Sequence, residues 1–324
     1  MEFRKFTQIE KIENAFQKLK LLRKKDEVKK IYFRSKIKLH GCNIGVRIFK
    51  GKTFFQKRSE DISSTRDLFD FSKFAETVKW KTDRDVIIYG EWAGPGIQNS
   101  NDAICNIETK CFFVFSVFST VSDKDPEKKP IEYMVVEPDL IQGYLPEDSR
   151  IMVIPWFENV KHSKEGGDKD KIAIYTHMNK QVQAIEQIDP FVLKTFNVSG
   201  PGEGLVVMPC NDAGIVECAI FNSLVFKMKT DSHSVVSSKE PPKDIDGFCE
   251  MFFNDIRCNQ MIFEHMNRSV TERDKKEFIT HILADIEKES KLEMEIAKLK
   301  WKFVKGPLTK RANAWFDQFL KGMK

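Results

Sequence analysis

Ile9, Ile12, Phe16, Leu19 and Leu22 recur at three- and four-residue intervals, the spacing that aligns side chains on one stripe of a helix. Thr7 and Glu10 stand ahead of them as a capping-box pair, so the pattern predicts a helix from residue 8 to about 24. The period then drops to two. Ile31, Phe33, Ser35, Ile37 and Leu39 alternate with Tyr32, Arg34, Lys36, Lys38 and His40, which predicts a strand over 31–39 with one buried face. Gly41-Cys42-Asn43 punctuates it before a second strand, Ile44 to Phe49. Further apolar runs predict strands at 86–90, 111–119, 131–136, 150–156, 204–208, 215–221 and 224–229. Helical patterns fall at 65–79 and 177–188, and polar loops at 123–130 and 159–171.

Past Asp231 the strand signals stop. A Ser-rich, Pro-containing stretch, Ser232 to Lys243, reads as a linker. Helical spacing follows in Ile245, Phe248, Phe252 and Ile256, then in Phe278, Ile282 and Ile286 behind a Thr271 cap, then in Leu292, Ile296 and Leu299. A last short segment surrounds Trp315 and Phe319. The fold class is therefore α+β: a body at 1–235 and a small all-α domain at 244–324, with no internal repeat.

Composition changes this picture in one respect. The 324 residues, 41% hydrophobic and 31% charged, describe a globular chain rather than a disordered or membrane-embedded one. The formal charge of +5 is unremarkable until it is divided: residues 1–58 hold 18 Lys/Arg against 5 Asp/Glu, a net of +13, and the remainder carries −8. An anion-binding face near the N-terminus is expected. Seven cysteines without a C-x-x-C pair suggest reduced thiols in a cytoplasmic protein, and neither a signal peptide nor a membrane anchor is expected.

Four short stretches carry candidate chemistry. Arg34, Lys36, Lys38 and His40 share a strand face, so an amine at position 38 sits among cations. That would favour a nucleophilic amine, while a solvated face of ordinary lysines is the competing reading. Gly90 to Gln98 is a Gly-rich turn that places Glu91 where a strand runs out, able to accept from a ribose hydroxyl or hold a metal. Gly200-Pro201-Gly202-Glu203-Gly204 delivers a second carboxylate at the start of an apolar strand. Lys227 and Lys229 point the same way from a strand whose other face is apolar. Asp168 and Asp170, in a polar run that lacks the later ligands of a calcium loop, read as a solvated loop.

In this order the pieces resemble the covalent nucleotidyltransferase superfamily, specifically the ATP-dependent RNA ligases of the phage T4 RNA ligase 2 type. Lys38-x-His40-Gly41-x-Asn43 is similar to that family's K-x-H-G-x-N motif, and Gly90-Glu91-Trp92-Ala93-Gly94-Pro95-Gly96-Ile97-Gln98 to its third motif. Phe112 to Phe115, Glu203-Gly204 and Lys227-x-Lys229 complete the series, which spans about residues 1–230. The resemblance implies an ATP-grasp-like nucleotidyltransferase domain, with antiparallel sheets flanked by helices. It implies three phosphoryl transfers, in which a lysine takes AMP from ATP, passes it to an RNA 5′-phosphate, and a 3′-hydroxyl then seals the strand. In these roles Lys38 is the nucleophile, Lys227 and Lys229 grip the α-phosphate, and Glu203 binds Mg²⁺ or Mn²⁺. Glu91 accepts from the ribose and Phe115 stacks on adenine. His40 and Asn43 orient phosphates, and Arg58 contacts the nick.

The chain departs from the family at three places. Ile37 stands where a Glu associated with the adenine amine is usual, Ser116 follows the stacking aromatic in place of an acid, and Met208 replaces a basic residue at the end of the E-G strand. The RNA partner implied is a duplex carrying 3′-OH and 5′-phosphate ends, served by a monomeric enzyme without membrane contact. The helical tail, with 17 Lys/Arg and 15 Asp/Glu over 239–324, would be its docking platform, or else a purely structural or partner-binding domain. A DNA ligase, an mRNA guanylyltransferase and an inactive RNA-binding relative are the alternatives.

Overall fold

The computed structural model describes residues 3–25, 31–65, 67–81, 83–98, 100–121, 129–158, 162–163, 168–230, 244–266, 270–290, 294 and 297–322. The expected linker at 232–243 lies outside them, as do Leu292, Ile296 and most of the loop at 123–130. The chain forms two compact units, Met1–Thr230 and Asp231–Lys324.

In the first unit, α1 (Ile12–Lys24) leads to the strands β1 (Tyr32–Lys38), β2 (Cys42–Phe49), β3 (Lys52–Lys57) and β4 (Asp61–Ile62). Then come α2 (Phe71–Thr77), β5 (Val86–Ala93), a 3-10 turn at Ala103–Asn106, β6 (Cys111–Val121) and β7 (Ile131–Val135). The chain continues through α3 (Pro138–Gln142), β8 (Ile151–Val153), β9 (His162–Ser163), α4 (Asp168–Gln187) and α5 (Pro190–Phe196). It ends with β10 (Gly204–Cys210), β11 (Ile215–Glu217), α6 (Cys218–Leu224) and β12 (Phe226–Lys229).

Two sheets result. One has the order β12-β10-β1-β9; the other runs β11-β7-β6-β5-β2-β3-β4, with β8 added in parallel to β6. β1 and β10 pair antiparallel with Lys38 opposite Gly204, Lys36 opposite Val206 and Arg34 opposite Met208. β10 then sets Gly204 opposite Lys229 and Val206 opposite Lys227. Directly opposed residues share a face and alternate residues repeat it, so this register alone gathers Lys36, Lys38, Lys227 and Lys229 on one side of the small sheet. The opposite face is apolar: Phe33 of β1 packs between Phe16 of α1 and Phe226 of β12, at ring-centroid distances of 5.8 and 5.9 Å.

Several local expectations give way to tertiary contacts. The Thr7–Glu10 capping box does not start α1, which begins at Ile12 without a side-chain cap. Glu10 instead bridges to Phe226 beside β12, its carbonyl accepting from the Lys227 amide at 3.1 Å. Residues 218–221, read as strand, are the first turn of α6. Asp168 and Asp170 lie in the first turn of α4 rather than in a loop. The turn expected after Tyr89 comes later, because β5 continues to Ala93 and Glu91 is a strand residue paired with Asn43 and Phe113. β1 is buried on both faces, not one, with Arg34 8% and Lys36 1% exposed.

The second unit is helical throughout its described elements: α7 (Ile245–Phe252), α8 (Asp255–His265), α9 (Lys275–Glu289) and α10 (Trp301–Gly322). Phe248, Phe252, Phe278, Ile282, Ile286, Leu308 and Phe316 form its core. The Thr271 cap is present as a reciprocal box with Asp274, and Asp244 and Asn254 cap α7 and α8 through the amides of Gly247 and Arg257. Trp315 and Phe319 belong to a 22-residue helix rather than a short segment. All seven cysteines are free thiols, and among the described residues no helix is long and apolar enough to cross a membrane.

Candidate active site

The site begins at the end of β1. Lys38 Nζ lies 2.6 Å from Glu203 Oε2, and Lys229 Nζ lies 2.9 Å from Glu203 Oε1, so one buried carboxylate joins two lysines from two strands. Glu203 precedes β10, and the chain can turn there because Gly204 adopts φ +138°. A Cβ at Gly204 would lie 2.2 Å from the Met228 carbonyl oxygen, so the close approach of β10 to β12 needs a glycine. Burial pushes the Glu203 carboxyl up, but Lys229, Lys38 and His40 overcome it and hold the group well below the usual carboxylate range. Lys38 thus has a carboxylate as its nearest partner, rather than the cations of its own strand.

Two residues further on, His40 Nδ1 lies 2.5 Å from Asp102 Oδ2, which also accepts from Ser100 Oγ at 2.8 Å. Glu91 Oε1 accepts from the Gly41 amide at 3.2 Å, and Gln98 Nε2 donates to the Gly41 carbonyl at 3.1 Å. The H-G turn is therefore clamped by the third motif. Gly41 has no room for a side chain, since a Cβ would stand 2.4 Å from the Trp92 carbonyl oxygen. Asn43 sits on β2 directly opposite Glu91.

Phe115 is the extra residue of a bulge in β6, for Tyr89 pairs with Ser116 and Gly90 with Val114. The residue is 8% exposed and its ring meets Phe6 edge-on at 5.1 Å, while its carbonyl accepts from Lys36 Nζ at 2.8 Å. Lys36 is fully buried, and desolvation lowers its pKa to about 7, against the attraction of Glu137. Arg34 and Trp156 complete this inner cluster: the guanidinium lies 4.4 Å from the indole centroid and 3.3 Å from Glu137.

The structure thus brings Lys38, Glu203 and Lys229 into direct contact, and ties Glu91 to the Gly41 turn. Lys227 shares the face of Lys229. Ile37 points to the apolar core, 3% exposed. Arg58 lies in the bend after β3, partly exposed. Asp102 and Ser100 were not legible as site residues, since a lone Asp in an Asn-Ser-Asn-Asp run carries no spacing signal. Lys36 was visible only as one cation among several.

The family model for RNA ligases matches residues 32–229, the span that holds these strands. The chain belongs to the RNA ligase family. Among solved structures it is similar to a Naegleria gruberi RNA ligase variant with ATP and Mn, at 15% identity over 70% of this chain and 56% of that one, TM-score 0.38. A second variant, with AMP and Mn, matches at 15% identity over 71% and 57%, TM-score 0.39, and the ligase with pyrophosphate at 15% over 71% and 57%, TM-score 0.37. The alignments span little more than half of the Naegleria chain. No curated protein matches.

Proposed function

We propose that this protein is an ATP-dependent RNA ligase that joins 3′-OH and 5′-phosphate RNA ends, at nicks in duplex RNA, through a lysyl-AMP intermediate. The observation that carries this reading is the convergence of Lys38, Glu203 and Lys229 at 2.6 and 2.9 Å. First, Lys38 Nζ, having lost a proton, bonds to the α-phosphorus of ATP, and the bond to the bridging oxygen breaks to release pyrophosphate. An RNA 5′-phosphate oxygen then attacks the same phosphorus, and the phosphorus–nitrogen bond breaks. Finally the 3′-hydroxyl attacks the RNA phosphorus, losing its proton as AMP departs.

Charge shifts among phosphoryl oxygens at each transfer, so positioned cations are what the protein must provide. Lys229 and Lys227 would contact the α-phosphate, and Arg58 the RNA end. Glu91, Phe115 and the backbone near Ile37 would hold the nucleoside, and His40 and Asn43 the phosphates. Glu203 would hold a divalent ion together with phosphate oxygens and water: among the described residues no group of three metal-binding side chains exists, and one carboxylate suffices for Mg²⁺ or Mn²⁺ in such a setting. When bound, that ion would neutralise phosphate charge. The carboxylate that would hold the ion is the same one that accepts from Lys38 Nζ at 2.6 Å.

The reading assigns residues 1–235 to nucleotidyl transfer and the helical unit at 244–324 to docking RNA, in a monomeric protein. It is tested by sealing assays on nicked duplex RNA, single-stranded RNA, and duplexes with DNA on either side of the nick. Sealing of nicked RNA with ATP supports it; exclusive sealing of DNA, or covalent labelling by GTP but not ATP, sinks it.

A further inference from the structure

Asp102 is a carboxylate with 3% of its side chain exposed, held in the loop between β5 and the 3-10 turn. Its Oδ2 accepts from Ser100 Oγ at 2.8 Å, and its own carbonyl accepts from Asn106 Nδ2 at 3.1 Å. The next residue, Ala103, donates its amide to the Pro201 carbonyl at 2.9 Å, which fastens this loop to the turn that delivers Glu203. Gly200 is needed for that approach, with φ +158° and Ala103 3.3 Å from where a Cβ would stand. Asp102 is thus fixed by neighbours on two sides before it meets His40.

His40 follows the end of β1 and is itself partly exposed, at 26% of its side chain, beside Lys38 at 20%. Nδ1 is the nitrogen engaged by the buried carboxylate at 2.5 Å. A carboxylate on Nδ1–H sets both the plane of an imidazole and the identity of the nitrogen it presents to a ligand. Ser100 Oγ, 3.3 Å from the same Nδ1, supports the carboxylate and is not arranged as a nucleophile activated by the far nitrogen.

We propose that Asp102, steadied by Ser100, is a positioning residue that holds His40 with Nδ1–H toward the protein and Nε2 toward the phosphoryl groups handled beside Lys38. The identity of those groups rests on the ligase reading; the orientation of the ring does not.

Two measurements test it. In protein with ¹⁵N-labelled histidine, His40 being assigned by its loss in His40→Ala, the wild type should show a protonated Nδ1, and Asp102→Ala should lose that signature. An Nε2–H tautomer, or a spectrum unmoved by Asp102→Ala or the isosteric Asp102→Asn, overturns the proposal whether or not the protein ligates RNA. In the kinetics of adenylyl transfer from ATP to Lys38 and onward to a 5′-phosphorylated RNA, His40→Ala and Asp102→Ala should each slow the same step, by about 10- to 100-fold. The double variant should be no slower than His40→Ala alone. Losses that multiply in the double variant, or a uniform loss tracking a fall in Tm, would mean that Asp102 only supports the fold. A wild type that never accepts AMP would end the ligase reading, and the nitrogen spectra would still decide the role of Asp102.

Discussion

Glu203 and Lys38, 165 residues apart in the chain, meet at 2.6 Å because β1 and β10 pair with Lys38 opposite Gly204. The carboxylate is 4% exposed on its side chain and serves Lys229 as well, so it neutralises two cations that the strand register sets on one face. Glu203→Gln should therefore destabilise the first unit by about 3 kcal/mol, as expected for a buried pair with one partner removed. Its pKa is depressed, so the stability it contributes is present above the ordinary carboxylate range and lost as pH falls through its folded value. Urea melts between pH 7 and pH 3 should show a wild-type decline that is shallower in Glu203→Gln; parallel curves would contradict this electrostatic account.

Lys36 behaves in the opposite sense. Its folded pKa of about 7 lies below its ordinary value of 10.5, so between these pH values the unfolded chain binds more protons than the folded one. The penalty for burying Lys36 is full below pH 7 and is relieved as pH rises toward 10.5. Lys36→Met, which keeps the stem and removes the charge, should stabilise the protein at pH 6 by on the order of 1–3 kcal/mol, less the hydrogen bond to Phe115. The gain should shrink by pH 9. A destabilised variant at pH 6 would show that the Phe115 carbonyl needs its ammonium.

Gly204→Ala strains the chain at one point. A methyl group there enters the space of the Met228 carbonyl, and φ of +138° is a conformation L-residues rarely adopt. A loss of about 2–4 kcal/mol is expected, with Lys38 and Lys229 moved apart and nucleotide labelling reduced well beyond the loss of folded protein. Thermal melts and labelling on the same samples check both parts.

Phe115 has two roles to separate. The bulge aims its ring at Phe6, and 8% of the residue reaches the surface. If the exposed edge stacks on the base, Phe115→Leu should raise KM for ATP by about 10-fold with kcat changed little, in line with roughly 1–3 kcal/mol for a base–aromatic contact. An unchanged KM with a lower Tm would leave Phe115 as a core residue only.

What the sequence made legible follows from the range of each interaction. The period-two pattern at 31–39 located β1, and the Lys227-x-Lys229 spacing located the paired lysines, since both depend only on backbone geometry. The burial of Arg34 and Lys36 did not show, because it comes from Trp156 and the Phe115 carbonyl, more than 70 residues away in the chain. The Thr7–Glu10 pair illustrates the converse: a sound local signal lost to a pairing with β12. Residues 218–221 have strand composition, yet they turn helical immediately after β11 leaves the sheet edge. Asp102 had no local signal at all, and only the meeting of its loop with the end of β1 makes it part of the site.

The central claim is that Lys38 is the nucleophile. Wild-type protein incubated with ATP and Mg²⁺ or Mn²⁺, then digested and mapped by mass spectrometry, should carry AMP on the peptide containing Lys38. Lys38→Ala should carry none, and Lys36→Met should still be labelled. AMP on Lys36, or labelling that survives Lys38→Ala, would contradict the account.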